Sequence, residues 1–176
     1  MDEHDDFEER RPEDATRGIG ALRRRGSIVC EDFRVARYAA WLRVKAVLPG
    51  PYTLARLSRL DGGPYRSLAS VAEALSEIIA AEVAALAQAG AALIQIDEPA
   101  ILFHPEDFRL VRQLLEPAWN ARGDAQIMLA TYFGDAEPLH AQLDSVPADL
   151  LGLDLVSSPK LPALIEATGA GKVLAL

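Results

Sequence analysis

The sequence predicts an α/β fold of the (β/α)8 TIM-barrel type, present in part, with about five strands in this chain. Three observations carry that expectation. Short apolar runs alternate with amphipathic helical periods, the pattern of right-handed βαβ units in a parallel sheet. Each run stops at polar residues or at proline and glycine, as barrel strands do where they meet a ligand. The 176 residues can bury one sizeable core, but a complete eight-stranded barrel takes roughly 200 or more.

The first 26 residues split into an acidic block (Asp2, Glu3, Asp5, Asp6, Glu8, Glu9, Glu13, Asp14) and a basic block (Arg17, Arg23, Arg24, Arg25). Such blocks bury too little apolar surface to offset ordering entropy, so residues 1–26 are expected to form a mobile charged tail or a loosely held helix. Residues 27–176 are expected to form the partial barrel domain. Phe33, Val35, Tyr38, Ala39, Trp41 and Leu42 suggest a short amphipathic helix from about Glu31.

Val44–Leu48 reads as the first strand, closed by Pro49-Gly50-Pro51, a corner with little side chain to obstruct a ligand. After the loop Asp61-Gly62-Gly63-Pro64, Leu68, Val71, Leu75, Ile78, Ile79, Val83 and Leu86 recur at spacings of three and four, which places them on one helical face. Glu73, Glu77 and Glu82 are then its solvated side. Ser70 with Glu73 has capping-box spacing, with Ser67 as the alternative start, and Gly90 is placed to end the helix.

Leu93, Ile94 and Ile96 read as a strand covered on both faces, stopping at Asp97, Glu98 and Pro99. His104-Pro105-Glu106-Asp107 opens a helix whose stripe is Phe108, Val111, Leu114, Leu115 and Ala118, with Pro117 expected to kink or shorten it. Ile127–Thr131, Leu151–Leu155 and Val173–Leu176 complete the strands, with helical segments near 136–145 and 160–167. The last apolar run is cut short, which suggests a fragment, a truncated paralogue or a subunit whose barrel another chain completes.

Half of the residues are hydrophobic and the net charge is -8. The acidic balance argues against nucleic acid or an anionic membrane as partner and favours a small molecule or a protein. No run is long and apolar enough for a membrane span, and no signal peptide is present. A single cysteine, Cys30, excludes an internal disulfide framework and fits the cytoplasm. Three scattered histidines (His4, His104, His140) give no zinc spacing, so no metal site is expected. Neither a Walker-type loop nor a dinucleotide fingerprint occurs.

The candidate site follows from topology. In a parallel barrel the strand ends converge, bringing Gly50, Asp97, Glu98, Tyr132 and Asp154 to one face. Asp97 and Glu98 are the candidate catalytic residues: paired carboxylates can hold an ammonium group, or act as acid and base if one has a shifted pKa. All five residues are candidates for substrate binding, with Gly50 and Asp154 at the rim. Asp97 is expected to hold the ammonium and Glu98 to orient it.

Gln95-Ile96-Asp97-Glu98-Pro99-Ala100 and Leu48-Pro49-Gly50-Pro51-Tyr52-Thr53 resemble cobalamin-independent methionine synthase, the 5-methyltetrahydropteroyltriglutamate–homocysteine methyltransferase family. Ala130-Thr131-Tyr132-Phe133-Gly134 and Leu153-Asp154-Leu155-Val156 look like its N-terminal barrel, and the order holds from about Val44 to Leu176. The resemblance implies duplicated barrels, methyltetrahydrofolate as methyl donor and homocysteine as acceptor. It also implies a zinc held by histidine, cysteine and glutamate in the C-terminal barrel, and an aspartate matching Asp97 on the substrate amino group. Where that barrel has its His-x-Cys pair this chain has Leu129, Ala130 and Thr131, and where it has the glutamate this chain has Asp154. Those side chains cannot prepare a zinc-bound thiolate.

Two other readings remain open at this level. One is a non-catalytic structural or regulatory partner that completes another subunit's barrel. A weaker one is a barrel of the uroporphyrinogen decarboxylase type, which also carries methyl-transfer enzymes.

Overall fold

A computed structural model describes residues 16–17, 20–60 and 63–175. Residues 1–15, with His4 and the acidic block, lie outside the described residues, as do 18, 19, Asp61, Gly62 and Leu176. Five strands, β1 (Ala46–Pro49), β2 (Leu93–Asp97), β3 (Gln126–Thr131), β4 (Leu150–Leu153) and β5 (Val173–Ala175), form one parallel sheet in sequential order. The sequential order never reverses, so the sheet winds in one direction as a barrel does and has no doubly wound switch point. The sheet is not closed; it is a partial barrel.

Register explains which residues enter the core. Leu48, Ile96, Leu129 and Leu151 form one row across four strands, with Ala46, Ile94 and Ile127 in the row below. All are buried and belong to the main apolar cluster with α3 (Leu68–Gln88) and α4 (Phe108–Ala121). The intervening positions, Leu93, Gln95 and Asp97, are only half-buried. Burial alternates along β2, so the expected cover on both faces is corrected to one: the helices pack on the face of Ile94 and Ile96 alone.

The helix starts and stops have local causes. Ser67 caps α3 in a reciprocal pair with Ser70, deciding between the two starts that the sequence offered. At its other end Gly90 takes φ +87, and the Arg37 guanidinium of α1 (Cys30–Ala39) donates to the Ala89 carbonyl at 2.6 Å. Proline starts the short helix α2 (Pro51–Arg56), which the sequence marked only as a corner. A 3-10 turn at Pro105–Asp107 leads into α4, which runs through Pro117 to Ala121 and is not shortened there. Two further helices, α5 (His140–Leu143) and α6 (Leu161–Thr168), join the last strands.

The amphipathic face expected for α1 is divided. Phe33 and Cys30 enter the core, while Val35, Tyr38, Trp41 and Leu42 are exposed. Within the segment expected as a tail, Thr16–Arg17 pair in parallel with Ser58–Arg59, and the Leu22 amide donates to the Tyr65 hydroxyl at 2.9 Å.

Glu82 corrects a second expectation. It is fully buried, not solvated. One carboxylate oxygen accepts from the amides of Ile28, Val29 and Cys30 at 3.0, 2.8 and 3.0 Å, capping the N-terminus of α1. The other oxygen accepts from the Arg24 guanidinium at 2.6 and 2.9 Å. These donors hold its pKa below the ordinary value despite the opposing effect of burial. A buried anion with three backbone amides and a guanidinium as donors is costly to delete, because these donors are left unpaired. Glu82→Ala is expected to lower unfolding stability by about 3 kcal/mol, measured by urea denaturation. A change below about 1 kcal/mol would show that the cap is dispensable.

Candidate functional site

The two adjacent carboxylates go to opposite faces because strand side chains alternate. Glu98 turns to the helix side, where none of it meets solvent. Its oxygens accept from the Tyr52 amide at 2.9 Å, the Thr53 amide at 2.7 Å and the Thr53 hydroxyl at 2.6 Å. These are donors in the first turn of α2, where the helix dipole favours an anion. Burial nonetheless pushes its pKa up to about 7, with the three hydrogen bonds pulling the other way.

Gly50 is required for this arrangement. A Cβ at that position would overlap the Glu98 carboxyl group, and the Gly50 amide donates to the Asp97 carbonyl at 2.7 Å. The corner is therefore built around a protein carboxylate. Tyr52 then donates its hydroxyl to Asp107 at 2.7 Å, and Arg56 bonds both Tyr52 and Asp107 at 2.8 and 2.6 Å, tying α2 to the start of α4.

Asp97 faces the open side of the sheet. Gln95 lies two residues before it on the same face and donates to Asp97 Oδ1 at 2.6 Å, while its own Oε1 accepts from the Lys45 ammonium. Tyr132, just beyond β3, lies within electrostatic reach of the Asp97 carboxylate, and burial together with that negative charge pushes its pKa up to about 12. Tyr132 is thus a protonated donor at neutral pH. Of the expected residues, the structure joins Asp97 with Tyr132 and Gly50 with Glu98.

Asp154 is joined to neither pair. Its carboxylate organises the turn after β4, accepting from the Val156 and Ser157 amides at 3.0 and 3.2 Å and from the Ser157 hydroxyl at 2.7 Å. A further bond from the Phe133 amide at 3.3 Å links that turn to the end of β3. Gln95 and Lys45 were not among the residues singled out from the sequence. The i, i+2 spacing of Gln95 and Asp97 was the available signal, but Lys45 needs the register of β1 on β2 to be placed beside it. A depression of about 540 Å³ lies elsewhere, where α3 and α4 end, lined mostly by alanine and glycine with Gln88 and Asp124. It lacks the convergent polar groups that a specific site needs.

Comparison with known proteins follows this geometry. The family model described as cobalamin-independent synthase, N-terminal domain, matches residues 22–176. The chain belongs to that family. It is 30% identical over 146 residues to a Streptococcus suis protein named 5-methyltetrahydropteroyltriglutamate–homocysteine methyltransferase, with 82% of this chain and 19% of that protein covered. A Herpetosiphon aurantiacus protein of the same name is 32% identical over 151 residues, covering 81% and 19%. The chain thus spans about a fifth of these relatives.

Among solved structures it resembles a B12-independent methionine synthase from a Shewanella species, in complex with selenomethionine. The TM-score is 0.75 at 23% identity, over 90% of this chain and 51% of that one. A Listeria monocytogenes structure described as a putative vitamin-B12-independent methionine synthase gives a TM-score of 0.65 at 17% identity, covering 78% and 47%. These likenesses establish the fold as a segment of the synthase barrel.

The family association raises zinc, and the residues at the corresponding strand ends do not fit it. Leu129 and Ala130 have no donor, and Thr131 offers only a buried hydroxyl. Asp154 is occupied by its turn, and among the described residues no three of His, Cys, Asp and Glu converge on a common point.

Two outcomes test this corner. Gly50→Ala is expected to destabilise the chain by about 1–3 kcal/mol in urea, since Glu98 has no room to retreat; unchanged stability would refute the close approach. Glu98 also sets a pH dependence. Its folded pKa of about 7 lies above the ordinary 4.5, so its contribution to stability is greatest below 4.5 and is lost as pH rises to about 7. Urea midpoints should therefore fall from pH 5 to pH 8 more steeply in the wild type than in Glu98→Gln, and equal slopes would contradict the assignment.

Proposed function

We propose that this chain serves methyl transfer from a methyltetrahydrofolate to homocysteine as the amino-acid-binding segment of a cobalamin-independent methionine synthase, without a zinc site of its own. The observation that carries this is the half-buried Asp97 carboxylate at the carboxyl end of β2, held by Gln95 on the open face with Tyr132 near it. Ligands of parallel barrels bind at that end. An ionised carboxylate there accepts from a substrate ammonium, and Tyr132, protonated at neutral pH, supplies a donor beside it.

Glu98 acts indirectly in this reading. It fixes α2 and the Gly50 corner, so that the end of β1 keeps its place beside Asp97. Gly50 and Asp154 shape the rim. The role assigned to the chain is to bind and orient substrate, and activation of the acceptor thiol falls to a second barrel domain or subunit. A reducing cytoplasmic setting suits the lone, buried Cys30. No helix among the described residues is long and apolar enough to cross a membrane.

A second reading, a non-catalytic partner that completes another barrel, is favoured by one observation. Among the described residues, β1 and β5 each pair with a strand on one side only. Calorimetric titration of homocysteine, methionine and methyltetrahydrofolate separates the two. The first reading expects amino-acid binding that Asp97→Ala weakens by about 10- to 100-fold, the worth of a charged hydrogen bond. Binding insensitive to Asp97→Ala would overturn it, and a chain that binds none of them would favour the second.

A further inference from the structure

We propose that Lys45 and Gln95 are positioning residues for Asp97, and that through them the open face tells an α-amino acid from its des-amino analogue. The inference rests on Asp97 as the ammonium holder and goes beyond it by adding two residues that need not touch the ligand.

A lysine ammonium has only donors, and an ionised carboxylate has only acceptors. Gln95 stands between one of each, and a single amide orientation serves both: Oε1 toward Lys45 Nζ and Nε2 toward Asp97 Oδ1, the latter at 2.6 Å. Turning the amide over would set oxygen against oxygen and ammonium against NH2. Lys45 therefore decides which end of Gln95 meets Asp97.

Asp97 needs such a clamp because the terminal torsion of an aspartate is broad and weakly preferred. Gln95 holds the carboxylate from β2 at 2.6 Å, and the Tyr132 phenol, protonated at neutral pH, stands near it beyond the end of β3. Both groups present donors, so the carboxylate keeps its acceptor character and its plane before a ligand arrives. A ligand ammonium then orders nothing on binding, which is the advantage of a preorganised site. Lys45 is exposed and sits immediately before the amino-terminal start of β1, away from the carboxyl ends of the strands and two positions before Val47, whose partner in the register is Gln95. It can be altered without disturbing the core.

The test uses the whole 176-residue chain and two probes, L-methionine and 4-(methylthio)butanoate, which differ by the amine. The readout is the ratio of the two affinities. The wild type is expected to prefer methionine by about 10- to 100-fold, as a charged hydrogen bond implies. Lys45→Met and Gln95→Leu should each lower that ratio by about tenfold, and the double variant by no more than either alone, because both act along one path. Lys45→Arg should restore it, since a guanidinium also only donates.

A merely structural role would weaken both probes together and leave the ratio unchanged, which overturns the positioning inference. If Asp97→Ala still abolishes the preference in that case, the proposed function survives. A wild type with no preference, or one that binds neither probe, overturns both.

Discussion

Glu98 is the constraint on which the site depends. It is a carboxylate without solvent at the end of β2, and its three donors all come from the first turn of α2. Removing a charge from water is expensive, and only a full set of hydrogen bonds makes it tolerable. That requirement fixes the distance between the end of β2 and the start of α2, and hence the path of the chain through Gly50. Because Gly50 also donates to the Asp97 carbonyl, the same carboxyl group positions the carboxyl ends of β1 and β2 together.

A second buried glutamate solves the same problem in the same way. Glu82, from the middle of α3, caps the start of α1 through three successive amides and takes Arg24 as counter-ion. In both cases a carboxylate from a remote element supplies what a local Ser, Thr or Asp would supply at an ordinary cap. Each is a long-range tie between elements, so local structure and tertiary packing are established together.

Division of the acid pair gives the domain its chemical character. The pleat sends Glu98 to the helices and leaves Asp97 on the open face, with Gln95, Lys45 and Tyr132 around it. One carboxylate maintains the scaffold and the other is left half-buried on the open face. Membership of the synthase N-terminal family fits this division, because the strand ends retain a polar face while Leu129 and Ala130 offer a metal nothing. The relatives that share this segment are some five times longer.

The sequence by itself determined the α/β class, all five strands of the main sheet, the long α3 and the family, because apolar periodicity and the Gln95–Ala100 and Leu48–Thr53 motifs are local patterns. It also marked Asp97, Glu98, Gly50 and Tyr132, which stand at strand ends. Tertiary structure alone decided what each does. Glu82 looked solvated because neither Arg24 nor the α1 amides are near it in sequence. Tyr38, Trp41 and Leu42 suggested the apolar side of a short helix yet are exposed, because hydrophobicity does not say which neighbour is present. The partnership of Lys45 with Gln95 requires β1 to lie in register on β2, across 50 residues of chain. Contacts of that range are set by packing, which composition and spacing do not encode.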